Sequence, residues 1–185
     1  MMADQGLDCQ YYDKADMMVM WKNCTLRSWL NNEFFQTVFD NNEQAAVVGQ
    51  MVVNEDNFVQ GTDGGDDSLD RVYLLSIGEV VNLEYGFCDY NDEDESGSSC
   101  VSRLMQTSDY AYAMGASMYE EYGDNACKWW LRSPGINNYN ASIVDSYGSV
   151  NCSGVEVNAD NYAVVPALHI NLSSDLWTVA DESQQ

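Results

Sequence analysis

Positive charge is scarce in this sequence: 7 Lys and Arg stand against 30 Asp and Glu, a formal net charge of −23 at pH 7. A polyphosphate partner would be repelled rather than recruited by counterion release, which excludes nucleic acid and anionic membrane as partner classes. Long apolar runs are missing too. No stretch approaches the ~20 residues that a spanning helix needs. The first residues, MMADQGLDCQYYDK, lack a basic region followed by an apolar one, so a soluble chain with neither membrane insertion nor an export signal is expected. Histidine occurs once, as His169 in PALHINL, and G-x-S-x-G is absent. A Ser-His-acid hydrolase would therefore rest on a histidine that reads as a core or edge residue of an apolar strand. The 6 cysteines (Cys9, Cys24, Cys88, Cys100, Cys127, Cys152) show no CxxC or CxxH spacing, which argues against a zinc knuckle. Reduced, partly buried thiols are expected, and Cys88 and Cys100, flanking an acidic loop, are the first pair to test for a disulfide.

What is present suffices for a core. With 185 residues, 45% of them hydrophobic and 12% aromatic, one domain spanning 1–185 is expected. Leu26, Trp29, Leu30, Phe34 and Val38 recur at steps of three and four and predict a helix with one apolar face, capped by Asn23 or Thr25. Asp40 and Glu43 have capping-box spacing ahead of a second helix over Gln44 to Val48, with Gly49 as its left-handed terminus. Gln50 to Val53 reads as extended, Asn54 to Asp70 as a Gly/Asp loop, and Val72 to Leu75 as a short strand. Ser76 and Glu79 then open a helix over Ile77 to Tyr85. Asp89 to Ser99 is a solvated acidic loop, and Ser108 to Met118 contains a short helix interrupted near Gly115. From Trp129 the texture is that of a β-meander: Trp129 to Arg132, Ile143 to Asp145, Ser149 to Asn151, Val155 to Val157 and Ala163 to Leu172 are the expected strands. Trp129 and Trp130, adjacent in a strand, must point to opposite faces, and core positions are expected for both rather than a sugar-stacking platform.

Between Ile136 and Tyr162 the residues are INNYNASIVDSYGSVNCSGVEVNADNY, without Lys, Arg, Leu or Phe. Tyr supplies rigid amphipathic contact and Asn, Ser and Gly supply adaptable hydrogen bonds, the composition of a paratope. The same residues also suit turns that merely join strands.

The order LDCQYY, W-x-N-C-T-L-R-x-W-L-N at Trp21 to Asn31, GTDGGDDSLDRVYLLS at Gly61 to Ser76, WWLRSPG at Trp129 to Gly135, G-S-V-N-x-x-G and AVVPALHINL resembles the bacterial and phage family catalogued as domain of unknown function (DUF) 6273. The resemblance runs from Leu7 to Leu172. That family is similar to the C-type-lectin-like variable proteins of diversity-generating retroelements, in which adenine-directed mutagenesis rewrites surface codons over a fixed scaffold. The resemblance implies an α+β, C-type-lectin-like fold, with short helices packed on a twisted antiparallel sheet. It divides the chain into a scaffold over 1–135, a variable binding region over 136–162 and a closing strand over 163–172. The scaffold residues it implies are Trp129, Trp130, Leu131, Arg132, Gly148, Val150, Gly154, Pro166, Ala167 and Leu168. The contact residues are Asn137, Asn138, Tyr139, Asn140, Ser142, Asp145, Tyr147, Asn151, Ser153, Glu156, Asn158, Asn161 and Tyr162. Val165 stands where members commonly carry Arg, and the strand that usually precedes LDC is expected to be absent or cut short.

The expected function is a non-catalytic receptor or adhesin whose partner is a protein or glycan on another cell or particle, with a cell-surface or phage-particle location. A structural or adhesive module of a larger surface protein is the alternative, and a calcium-dependent lectin a third reading. For the last, Asp63, Asp66, Asp67 and Asp70 are the calcium candidates, in a glycine loop that does not fit the EF-hand spacing and whose aspartates also suit turn capping. No other cofactor is expected. The sulfatase-modifying oxygenases resemble the same fold but depend on a reactive cysteine pair. Cys127 and Cys152 would have to serve, in acidic surroundings where Lys128 is the sole adjacent cation.

Overall fold

A computed structural model describes residues 1–15, 17–90, 99–119 and 125–176. The expected first helix forms as α1 (Thr25–Trp29), a π-helical turn (Leu30–Phe34) and α2 (Phe35–Val38), one after another. Its cap is Cys24, whose sulfur accepts from the Arg27 amide at 3.3 Å, while Thr25 Oγ1 accepts from the Lys14 amide. Leu26, Leu30 and Phe34 are buried as their spacing predicts. The wider π turn then shifts the phase, so that Phe35 is buried and Val38 is 51% exposed. Helix α3 (Asn41–Ala46) carries the full Asp40–Glu43 capping box. It ends before Val47 and Val48, which are recruited to a sheet, and Gly49 does not take a positive φ. Helix α4 (Ile77–Val80) has the Ser76–Glu79 box and stops short of the expected Tyr85, giving way to a 3-10 turn at Leu83–Tyr85. Helix α5 (Asp109–Ala113) is followed by Gly115 at φ 111°. Most of the expected acidic loop after Asp89 lies outside the described residues.

The strands in chain order are β1 (Gln5–Gly6), β2 (Asp8–Cys9), β3 (Val47–Val48), β4 (Gln50–Val52), β5 (Ser68–Asp70), β6 (Val72–Tyr73) and β7 (Met105–Thr107). They continue with β8 (Ala126–Cys127), β9 (Trp129–Pro134), β10 (Asn140–Val144), β11 (Val150–Glu156), β12 (Ala163–Val164) and β13 (Ala167–Ile170). The result is a mixed α+β fold in which, among the described residues, these strands form four small sheets instead of one: β1-β7-β8, β11-β10-β9-β12-β2, β3-β13-β6 and β4-β5. Most pairings are antiparallel; β9 with β12 and β1 with β7 are parallel. The two segments expected at Ser149 to Asn151 and Val155 to Val157 are one strand, β11. The single closing strand is two, because Pro166 has no amide to donate and β12 and β13 join different sheets. A strand does precede LDC, since Gln5 and Gly6 pair with β7, and Ala3 and Leu7 donate to the Pro166 and Val164 carbonyls.

The motif blocks hold each other. Asp70, 1% exposed, accepts from Trp21 Nε1 at 2.9 Å, Arg27 Nε at 2.6 Å and Ser68 Oγ at 2.8 Å. Asn31 accepts from the Arg71 and Val72 amides and donates to the Val72 carbonyl, so the Trp21 to Asn31 block is sewn to β5 and β6. Trp129 and Trp130 are both wholly buried, as expected, and donate to the carbonyls of Arg103 and Gln10. Trp130 packs between Tyr12 and Tyr162 with centroids 5.7 and 4.6 Å away. Cys88 and Cys100 form a disulfide, and Cys9, Cys24, Cys127 and Cys152 are buried outside it.

Candidate functional site: the β10–β11 hairpin

Strand β11 is an edge strand, and β10 joins it to β9. The register breaks between Ala141 and Ile143: Ala141 faces Val155 and Pro134, whereas Ile143 faces Asn151 and Trp130. Two steps on β10 thus oppose four on each neighbour, and the surplus backbone groups need partners. Asn57, wholly buried, donates through Nδ2 to the Pro134 carbonyl at 2.8 Å and the Cys152 carbonyl at 2.7 Å. Ser142 Oγ donates to the Pro134 carbonyl at 2.7 Å, and the Ile136 amide donates to the Ser153 carbonyl. Gly154 turns the strand at φ 72°; a β-carbon there would lie 2.4 Å from the Ala141 carbonyl oxygen. The hairpin turn is held by Asp145, whose Oδ1 accepts from the Tyr147 and Ser149 amides at 2.9 and 3.0 Å. Burial pushes the Asp145 carboxyl up from its ordinary value against the opposing pull of those amides.

On this frame the expected contact residues divide. Asn137, Tyr139, Tyr147, Asn151, Ser153, Glu156 and Asn161 are exposed, and Asn140, Asp145 and Asn158 are half-buried. Asn138, Ser142 and Tyr162 are buried at 7%, 0% and 9%, which corrects their assignment as contact residues. Tyr162 fills space against Trp130, Ser142 serves the bulge, and the Asn138 carbonyl accepts from the Val19 amide at 2.8 Å while its side-chain Oδ1 is buried without a partner. Asp145 is likewise a turn former first. The hairpin brings together Asn137, Tyr139, Asn140, Glu156 and Asn158 at one end, where Asn140 pairs with Glu156 and the Val157 amide donates to the Tyr139 carbonyl. Asn151 and Ser153 continue along the edge strand. Tyr147 sits in the turn that joins β10 to β11, away from that group. Asn161 is elsewhere, exchanging hydrogen bonds with Ser117.

Sequence reading missed Asn57 and Gln60, whose amide donates to Ser153 Oγ at 3.2 Å. Both lie in the segment read as a Gly/Asp loop, and nothing local marks a residue that acts across nearly a hundred positions. The four calcium candidates lie in the same region, each with its own partner. Asp63 accepts from the Gly65 amide, Asp66 pairs with Lys22, Asp67 accepts from the Asn54 amide and Asp70 is the buried acceptor described above. The four serve four different purposes, and among the described residues no group of three or more His, Cys, Asp or Glu is placed to hold a metal. Among the described residues, too, no helix is long and apolar enough to cross a membrane.

Three of the buried thiols are held protonated: burial pushes Cys9 and Cys127 up to about 11 and Cys24 up to about 12. Among known families, the one described as Domain of unknown function (DUF6273) matches over residues 1–172. No curated protein and no solved structure matches the chain.

Proposed function

We propose that this chain, which belongs to the DUF6273 family, is a non-catalytic ligand-binding domain of the C-type-lectin-like class, displaying a surface that is rewritten as in retroelement-diversified variable proteins. The reading rests chiefly on one observation. Asn137, Tyr139, Asn151, Ser153 and Glu156 project into solvent from a hairpin whose bulge is fixed by the buried Asn57 and Ser142, with Asn137 and Asn151 adding only exposed local bonds from the Tyr139 and Gly154 amides. Side chains on such an edge change without disturbing the fold, and Tyr with Asn and Ser gives contact area plus adaptable hydrogen bonding. The partner is a protein or glycan on another cell or particle, since a net charge of −23 disfavours polyanions.

Comparison of sibling copies from one genome tests this. Differences are expected at the five exposed positions and not at Asn138, Ser142 or Tyr162. Differences spread evenly along the chain contradict the proposal and favour an adhesive module.

A further inference from the structure

A concavity of about 480 Å³ opens where β4, β6, α4 and β13 meet. That volume lies within the range of small-molecule sites, about 300–1,000 Å³. Its floor carries two linked pairs. The Tyr73 hydroxyl and His169 Nε2 are 2.8 Å apart, with the rings stacked. Arg132, 5% exposed, contacts the Glu79 carboxylate through Nη1, which also donates to the Leu74 carbonyl; Nη2 donates to the Val53 carbonyl. Its guanidinium therefore meets the cleft neutralised by Glu79 and bonded through both terminal nitrogens, with Nε buried and unpartnered.

The charges that remain decide what the cleft accepts. Burial holds His169 below its ordinary value and pushes Tyr73 up to about 12, so both are uncharged at neutral pH. Glu55 lines the cleft and forms none of the ion pairs found among the described residues. Its carboxylate leans over Gly78, where a β-carbon would sit 2.9 Å from Oε2, so the missing side chain at 78 gives it room. Tyr85, 62% exposed, offers a ring at the wall, and Asn82 and Gln50 add amides. Glu55 is the uncompensated carboxylate of the lining, and the nearby N-terminal ammonium, which also lowers His169, is tied to the Leu168 carbonyl; with aromatic faces and neutral hydrogen-bonding groups in a strongly acidic protein, the cleft disfavours anions and attracts a positive head group.

We infer that this cleft binds a small hydroxylated organic ammonium ion, of amino-sugar or amino-alcohol type, with Glu55 as its counter-ion and Tyr85 against its face. The site is separate from the β10–β11 hairpin, so its occupancy does not depend on the display surface.

The single histidine supplies the readout, because its ring carbon Cε1–H gives one resonance from the cleft itself. Glucosamine is titrated into the full chain, with glucose and glucose 6-phosphate as neutral and anionic counterparts of the same size. Saturable displacement of the His169 resonance by glucosamine is expected, at least about tenfold tighter than by glucose, the worth of one charge-assisted hydrogen bond, and none by the phosphate. Glu55→Gln, at an exposed position outside the described ion pairs, is expected to weaken glucosamine about tenfold, and Tyr85→Ala to weaken it further while the folded spectrum is kept. No displacement by glucosamine, equal displacement by glucose, or undiminished binding by Glu55→Gln overturns the inference.

Discussion

Tyr139 and Tyr162 have the same chemistry, sit 23 positions apart in one compositionally uniform segment, and have opposite roles. Tyr139 is 47% exposed; Tyr162, 9% exposed, packs on Trp130. Tyr162→Ala is expected to cost about 3 kcal/mol, as for other large aromatic truncations in a core, and Tyr139→Ala less than about 0.5 kcal/mol. Urea denaturation of both variants checks this, and equal costs contradict it. Asp70 is a second residue-scale case, since its carboxylate is shared by Trp21, Arg27 and Ser68. Asp70→Ala strands three donors and is expected to lose about 3 kcal/mol. An unchanged denaturation midpoint would show that the two motif blocks do not depend on each other. Neither contrast was legible in the sequence, because Asn/Tyr/Ser composition reports suitability for a surface and is silent on which way each side chain points at a bulge.

At the scale of elements the sequence was more informative where chemistry is local. The Asp40–Glu43 and Ser76–Glu79 boxes and the buried tryptophan pair depend on near neighbours or on a two-residue strand period, and all are present, whereas the Cys88–Cys100 bridge replaces the reduced thiols expected there. Long-range events were not readable: the loss of Val47 and Val48 to a strand paired with β13, the split at Pro166, and Asn57 reaching the β9–β11 bulge. The bulge makes a firm demand on one residue. Gly154→Ala combines a left-handed backbone with a β-carbon 2.4 Å from the Ala141 oxygen. It is expected to cost more than about 2 kcal/mol, the range of a strained backbone position with a clash added. Thermal melting is the check, and a melting temperature unaltered within error would mean that β11 follows a different path.

For the molecule as a whole, the stability of the frame has two chemical handles. The Cys88–Cys100 bridge closes a separation of 12 residues, for which chain entropy gives about 3 kcal/mol. Because Cys88 is exposed, reductant is expected to lower the denaturation midpoint of the native protein and to leave a Cys88→Ser variant unaffected. The buried thiols of Cys9, Cys24 and Cys127 act in the opposite pH range from most acid-sensitive groups. Their folded values, about 11 to 12, lie above the ordinary 9.0, so the folded chain holds these protons more tightly. Their contribution is fully present below pH 9 and is lost as pH rises through 11 to 12. A stability profile that stays flat from pH 8 to 11.5 contradicts this.

A rigid frame presenting changeable side chains is most directly tested by a stability scan of every single substitution from Ile136 to Tyr162, read by protease resistance of the displayed domain. Asn137, Tyr139, Asn151, Ser153 and Glu156 are predicted to accept most replacements without loss of resistance, while Asn138, Ser142, Gly154 and Tyr162 accept few. Uniform sensitivity along the segment, or tolerance at the buried positions, would contradict the division between frame and display.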